Sequence, residues 1–165
     1  RFIEPNVPLK GPTEKDPLYL SMMKRFRYFE RRVKKKVFML QAFPRPARLS
    51  EFEKQRKKLG LPMMSYMPEA VELDSEPMRE RVRAIAKNCE KCVIFDIKEM
   101  FLNEAGNFTV LDPRTYLRYF DRARHLTIVG RKLVEPMIIK LADEFPRLMN
   151  AKYPDNMLEW NSTKT

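Results

Sequence analysis

A chain of 165 residues with 44% apolar content is long enough to bury a core of its own, yet its formal net charge of +11 is unevenly spread. Residues 1–60 hold 17 Lys and Arg against 6 Asp and Glu, whereas residues 61–165 hold 16 of each. Two cysteines exclude a disulfide scaffold, no run reaches the roughly 20 apolar residues that span a bilayer, and four scattered glycines exclude a Gly-rich phosphate loop.

Residues 1–16 contain three prolines and no periodicity, which predicts an extended arm. Asp16-Pro17 is a helix start, because Asp accepts from free backbone amides and Pro at the first position loses no needed donor. The helix is expected to run to about Gln41. Leu18, Met22, Phe26, Phe29, Val33, Val37 and Leu40 make its inward stripe. Phe43–Pro46 (FPRP) stops it, and a second basic helix follows between the capping box Ser50/Glu53 and Gly60. Residues 61–74 read as a connector.

Ser75 caps a third helix to about Asn88, with Met78, Val82, Ile85, Ala86 and Cys89 inward. Cys92–Ile97 (CVIFDI) is β-branched and aromatic, a buried strand. Asn103–Asn107 (NEAGN) is a turn that could return the chain along Phe108–Leu111. Asp112-Pro113 repeats the earlier helix-start signal and predicts a helix to about Arg124, followed by a strand at Leu126–Gly130. Pro136 is expected to open a last helix, which Pro146 bends or ends, and residues 150–165 read as a polar tail pinned by Tyr153 and Trp160.

The order predicts an α/β fold: a small sheet containing a β-α-β unit covered by helices, with a basic N-terminal helical extension. The divisions expected are a basic arm at 1–60, a connector at 61–74, an α/β domain at 75–150 and a tail at 151–165.

Candidate chemistry is sparse. Cys89 and Cys92 form a CxxC, but zinc needs four ligands and His125 is the only histidine. A redox pair sits at a helix start after a strand, the reverse of the order here. Structural thiols in a reducing compartment are expected, the alternative being a zinc shared with a neighbouring subunit. His125 is read as a helix-end cap or surface residue with no orienting partner. Among Asp96, Glu99, Glu104, Asp112 and Asp121, Asp96, on a strand next to apolar residues, is the one to inspect for a raised pKa. It is expected at the solvent end of its strand. No catalytic residue, metal or cofactor is assigned, and no enzyme is expected.

The basic arm is the strongest constellation. Lys24, Arg25, Arg27, Arg31, Arg32, Lys34, Lys35 and Lys36 face a single acid, Glu30, and are interleaved with Phe26, Tyr28 and Phe29. Such a cluster repels itself without a polyanion beside it, and phosphates supply one. Lys54, Arg56, Lys57 and Lys58 extend it. A membrane-surface reading, with the apolar stripe of the first helix entering lipid, is the second class.

The stretches RRVKKKVFMLQAFPRP, RERVRAIAKNCEKCVIF and YLRYFDRARHLTIVGRKLVEPMI together resemble the mitochondrial form of the ribosomal stalk-base protein, the L-ten family. The resemblance covers roughly residues 25–141. It implies a basic turn on ribosomal RNA, at Arg131 and Lys132. The expectation is therefore a structural constituent of the mitochondrial ribosome, in the matrix, with ribosomal RNA and ribosomal proteins as partners. No small-molecule substrate and no transmembrane segment are expected. The alternative is a non-catalytic accessory subunit of an inner-membrane respiratory complex. Arg1 in place of an initiating Met fits a processed organelle precursor.

Overall fold

The computed structural model describes residues 7–42, 54, 57–60, 76–121 and 125–159. Its centre is a three-stranded parallel sheet in the order β1 (Val37–Leu40), β2 (Cys92–Phe95), β3 (Met157–Leu158). The helices packed on it are α1 (Pro17–Arg32), α2 (Glu76–Asn88), α3 (Ile128–Asp143) and the short α4 (Phe145–Leu148). The fold is mixed α/β, with β1, α2 and β2 as its β-α-β unit.

Alternation across the strands explains why both faces are apolar. Cys92, Ile94, Met39 and Met157 pack with α1 and α2. Val93, Phe95, Phe38 and Leu158 pack on the other side with α3, α4 and residues 97–120. Parallel strands covered on both faces read as continuous apolar runs, as VFML and CVIF do.

Asp16 caps α1 as expected, its carboxylate accepting from the amide of Tyr19 at 2.9 Å. The helix ends at Arg32, however, and Val37–Leu40 is a strand rather than the helix's last turns. Its spacing fits a helix, but the run is four residues long and β-branched at its start, and β2 offers it a complete ladder. Val37 N–H donates to Lys91 O and Gln41 N–H to Phe95 O, both at 2.8 Å. Within the expected arm, α1 and β1 belong to the central layers. Likewise the expected tail contributes β3. Tyr153 is exposed there, and the chain is held instead by Asn156, whose amide donates to Ala86 O and Cys92 O.

The second basic helix of the sequence reading lies largely outside the described residues; residues 57–59 are helical, and Lys54, Lys57 and Lys58 are exposed. Arg56, Ser50, Glu53 and Trp160 fall outside them. Cys89 and Cys92 are joined in a disulfide, not free thiols, and both are buried. The helix end and the strand start lie close enough for a three-residue step to close the bond. Asp96 is not at a solvent edge: it is buried and paired with Arg79 of α2, and it accepts from the Lys98 amide at 2.9 Å.

Residues 102–127 are where the sequence reading departs furthest. The turn at residues 103–107 forms, closed by Asn103 Oδ1 accepting from the amides of Ala105 and Asn107. The expected helix after Asp112 does not. The Asp112 carboxylate accepts from the amides of Arg114 and Thr115, closing a turn in which Tyr116 takes a left-handed backbone (φ 58°). Three short antiparallel bridges follow one another, Leu102 to Phe108, Leu111 to Arg118 and Phe120 to Leu126. The last expected strand is instead the opening of α3, which starts at Ile128 and carries Pro136 inside it on an exposed face.

Candidate functional site

The bridge between Phe120 and Leu126 brings Asp121 and His125 side by side. Phe120 is fully buried, its ring 5.0 Å from that of Phe101, so Asp121 follows directly on an aromatic cluster. Asp121 N–H donates to His125 O at 2.9 Å, and His125 N–H donates to Asp121 Oδ1 at 2.8 Å. One backbone bond and one amide-to-carboxylate bond thus bring the side chains together: His125 Nδ1 lies 3.3 Å from Asp121 Oδ2.

A carboxylate is acceptor-only, so the contact favours the tautomer with the proton on Nδ1. That leaves the Nε2 lone pair facing outward, in the arrangement of a general base with its orienting acid. The His125 side chain is 76% exposed and that of Asp121 47%, so both are open to solvent.

Just after the histidine, Thr127 caps α3: its hydroxyl accepts from Gly130 N–H at 3.1 Å and donates to Arg118 O, while Thr127 N–H donates to Tyr119 O at 3.0 Å. Gly130 is required by space. A Cβ there would stand 2.1 Å from the Tyr119 carbonyl oxygen. The run H-x-T-x-x-G thus places His125 at the entry of a helix pressed against residues 118–120.

His125 is expected from the sequence to have no orienting partner, although Asp121 stands four residues before it. The spacing Asp121-x-x-x-His125 followed by a cap and a glycine was the available signal. Among the described residues no group of His, Cys, Asp and Glu side chains could hold a metal ion.

The family described as the SGNH domain (fused to AT3 domains) matches residues 4–140. The chain belongs to the SGNH domain family. No curated protein and no solved structure matches it.

The expected RNA-contacting residues take mixed positions in this SGNH domain. Lys24, Arg25, Arg31, Lys34 and Lys35 are exposed on α1 and just beyond it. Arg27 pairs with Glu30 at 2.7 Å, and the Arg32 guanidinium lies 3.6 Å over the Tyr28 ring. Lys36 is directed inward, donating to Ala151 O at 2.6 Å and Glu90 O at 2.9 Å, and burial, with Lys152 nearby, lowers its pKa. Arg131 and Lys132 are exposed in the first turns of α3, not in a turn after a strand, and so lie apart from the α1 cations.

Proposed function

We propose that this domain carries the general base of a hydrolase acting on acyl esters, with His125 as the base and Asp121 as its positioning partner. Membership of the SGNH family, a hydrolase-like fold, supports the reaction class. The observation that carries the reading is the His125 Nδ1 contact with Asp121 at 3.3 Å, which leaves Nε2 outward. A solvent-exposed contact of this kind contributes only about 0–1 kcal/mol to stability, so stability alone is a poor reason for the pairing.

In the proposed step Nε2 takes the proton of a hydroxyl as its oxygen bonds to the acyl carbon. The carbon–oxygen bond to the leaving alcohol then breaks, and the imidazolium returns the proton to that alcohol. Asp121 keeps the tautomer and stabilises the transient positive charge. No described Ser, Thr or Cys side chain hydrogen-bonds Nε2, so the attacking oxygen is left as a hydroxyl of unassigned origin.

The test is hydrolysis of p-nitrophenyl acetate by the protein and by His125→Ala. A loss of about 10²–10⁴-fold in kcat is expected, with partial recovery on adding imidazole. Equal rates in the two proteins would remove the proposal. The ribosomal and respiratory-subunit expectations gain no support from the pair or the family; the charge argument behind them concerns α1.

A further inference from the structure

We propose that the outward face of α1 docks this domain on an anionic lipid surface. The apolar stripe that the sequence offered for lipid is occupied elsewhere, since Leu18, Met22 and Phe26 pack in the core with the buried Tyr19 and Met23. The opposite arc of the helix is what remains exposed. It carries Lys24, Arg25 and Arg31, continued by Lys34 and Lys35 beyond the helix end. Within residues 17–35 the only acid is Glu30, and it is already paired with Arg27 and accepts from the Lys91 amide.

A solvated surface helix normally mixes both signs, because like charges one turn apart repel. This arc does not. It also exposes three large apolar side chains, Leu20, Tyr28 and Phe29, each about half exposed. Cations reaching headgroup phosphates around partly apolar side chains at the interface are what a peripheral lipid-binding helix presents.

Lipid is favoured over a polynucleotide by the aromatic geometry. A base needs an open ring face to stack upon. One face of Tyr28 is covered by Arg32 at 3.6 Å, and the Phe29 ring stands nearly perpendicular to it, 5.7 Å away. An interfacial tyrosine needs only an apolar body and a polar tip at headgroup level, and covering one face leaves that intact.

Co-sedimentation of the full chain with phosphatidylcholine vesicles, with and without phosphatidylserine, tests this. Binding is expected only with phosphatidylserine and should fall as salt is raised. The double variant Lys24→Gln/Arg31→Gln should lower partitioning about 25-fold, at about fivefold for each cation. Arg131→Gln/Lys132→Gln, on the other side of the sheet, matches it in charge and should bind like the parent. Arg25→Gln/Lys34→Gln serves as an independent pair if the first variant misfolds by circular dichroism. The proposal falls if neutral vesicles bind equally, if no vesicle binds, or if neither α1 pair weakens binding. It falls in favour of a polynucleotide if an RNA oligomer at equal phosphate concentration displaces the protein from vesicles.

Discussion

Arg81, wholly buried in α2, grips Asp16 from 65 residues away at two points, Nε to Oδ1 at 2.8 Å and Nη2 to Oδ2 at 2.9 Å. Most of the remaining capacity of both groups is used. The guanidinium also donates to Val7 O and Pro8 O, and the carboxylate accepts from the amides of Tyr19 and Lys10. The pair therefore ties the residues before α1 and the helix start itself to α2. A buried pair with one partner removed leaves an uncompensated charge, so Arg81→Met should destabilise the fold by about 3–5 kcal/mol. Urea unfolding at neutral pH measures it, and a loss below about 1 kcal/mol would show that the pair is not a tertiary anchor.

The same pair gives a pH dependence. Hydrogen bonds from Arg81 hold the Asp16 carboxyl well below its ordinary value of 3.8, against the opposing effect of burial. The folded state thus binds its proton later than the unfolded state as pH falls. The contribution is fully present above the ordinary carboxylate range and is lost as pH drops below it toward the folded value. Urea midpoints taken from neutral pH down to pH 2 should fall steeply below about pH 4 in the parent. Asp16→Asn should start less stable and lose part of that slope; a parallel curve would assign the acid sensitivity to other groups.

For the proposed base, Asp121→Asn separates orientation from charge. An amide in place of the carboxylate can present N–H to Nδ1 and favour the other tautomer, with the proton on Nε2 where it cannot accept. A loss of up to about 10⁴-fold in kcat with little change in KM is expected on p-nitrophenyl acetate. A rise in KM alone would indicate that Asp121 touches substrate rather than positioning His125.

What could be read from the sequence depended on whether a segment's signal was local. The cap at Asp16, the span of α2 and the strand at Cys92 are each set by adjacent residues, and each formed where expected. Val37–Leu40 was misassigned because four apolar residues satisfy both periods, and the deciding partner, β2, lies more than fifty residues away. Asp112-Pro113 misled for a related reason, since an aspartate accepting from amides two and three residues ahead serves a turn as well as a helix start. The Asp121–His125 pair was legible only as a four-residue spacing, which a surface pair shares. Its geometry depends on a bridge between Phe120 and Leu126 that no periodicity announces.

Gly130 offers a test of how the site is held. By helix propensity alone, Gly130→Ala should stabilise α3 by about 1 kcal/mol. The added methyl would meet the Tyr119 carbonyl oxygen at 2.1 Å, against backbone that is itself bonded to Thr127 N–H. Overpacking costs about 1–3 kcal/mol and here faces backbone rather than a flexible side chain, so the clash should win. The variant should be less stable than the parent by up to about 2 kcal/mol and should lose ester hydrolysis beyond the loss of folded protein. A more stable, fully active variant would mean that α3 can shift without moving His125.

The Cys89–Cys92 disulfide joins the end of α2 to the start of β2, with both residues in the core beneath α1. Closing so short a loop constrains the unfolded chain by about 2 kcal/mol in the chain-entropy description. Cys89→Ser/Cys92→Ser would also place two hydroxyls in an apolar cluster, so Cys89→Ala/Cys92→Ala is the cleaner comparison. It should lower the urea midpoint by about 2 kcal/mol equivalent, and dithiothreitol should lower the parent toward the variant while leaving the variant unchanged. Because both sulfurs are buried, reduction should be slow in native buffer and fast in mild denaturant. Rapid reduction of the native protein with no change in midpoint would show that the bond contributes nothing to the fold.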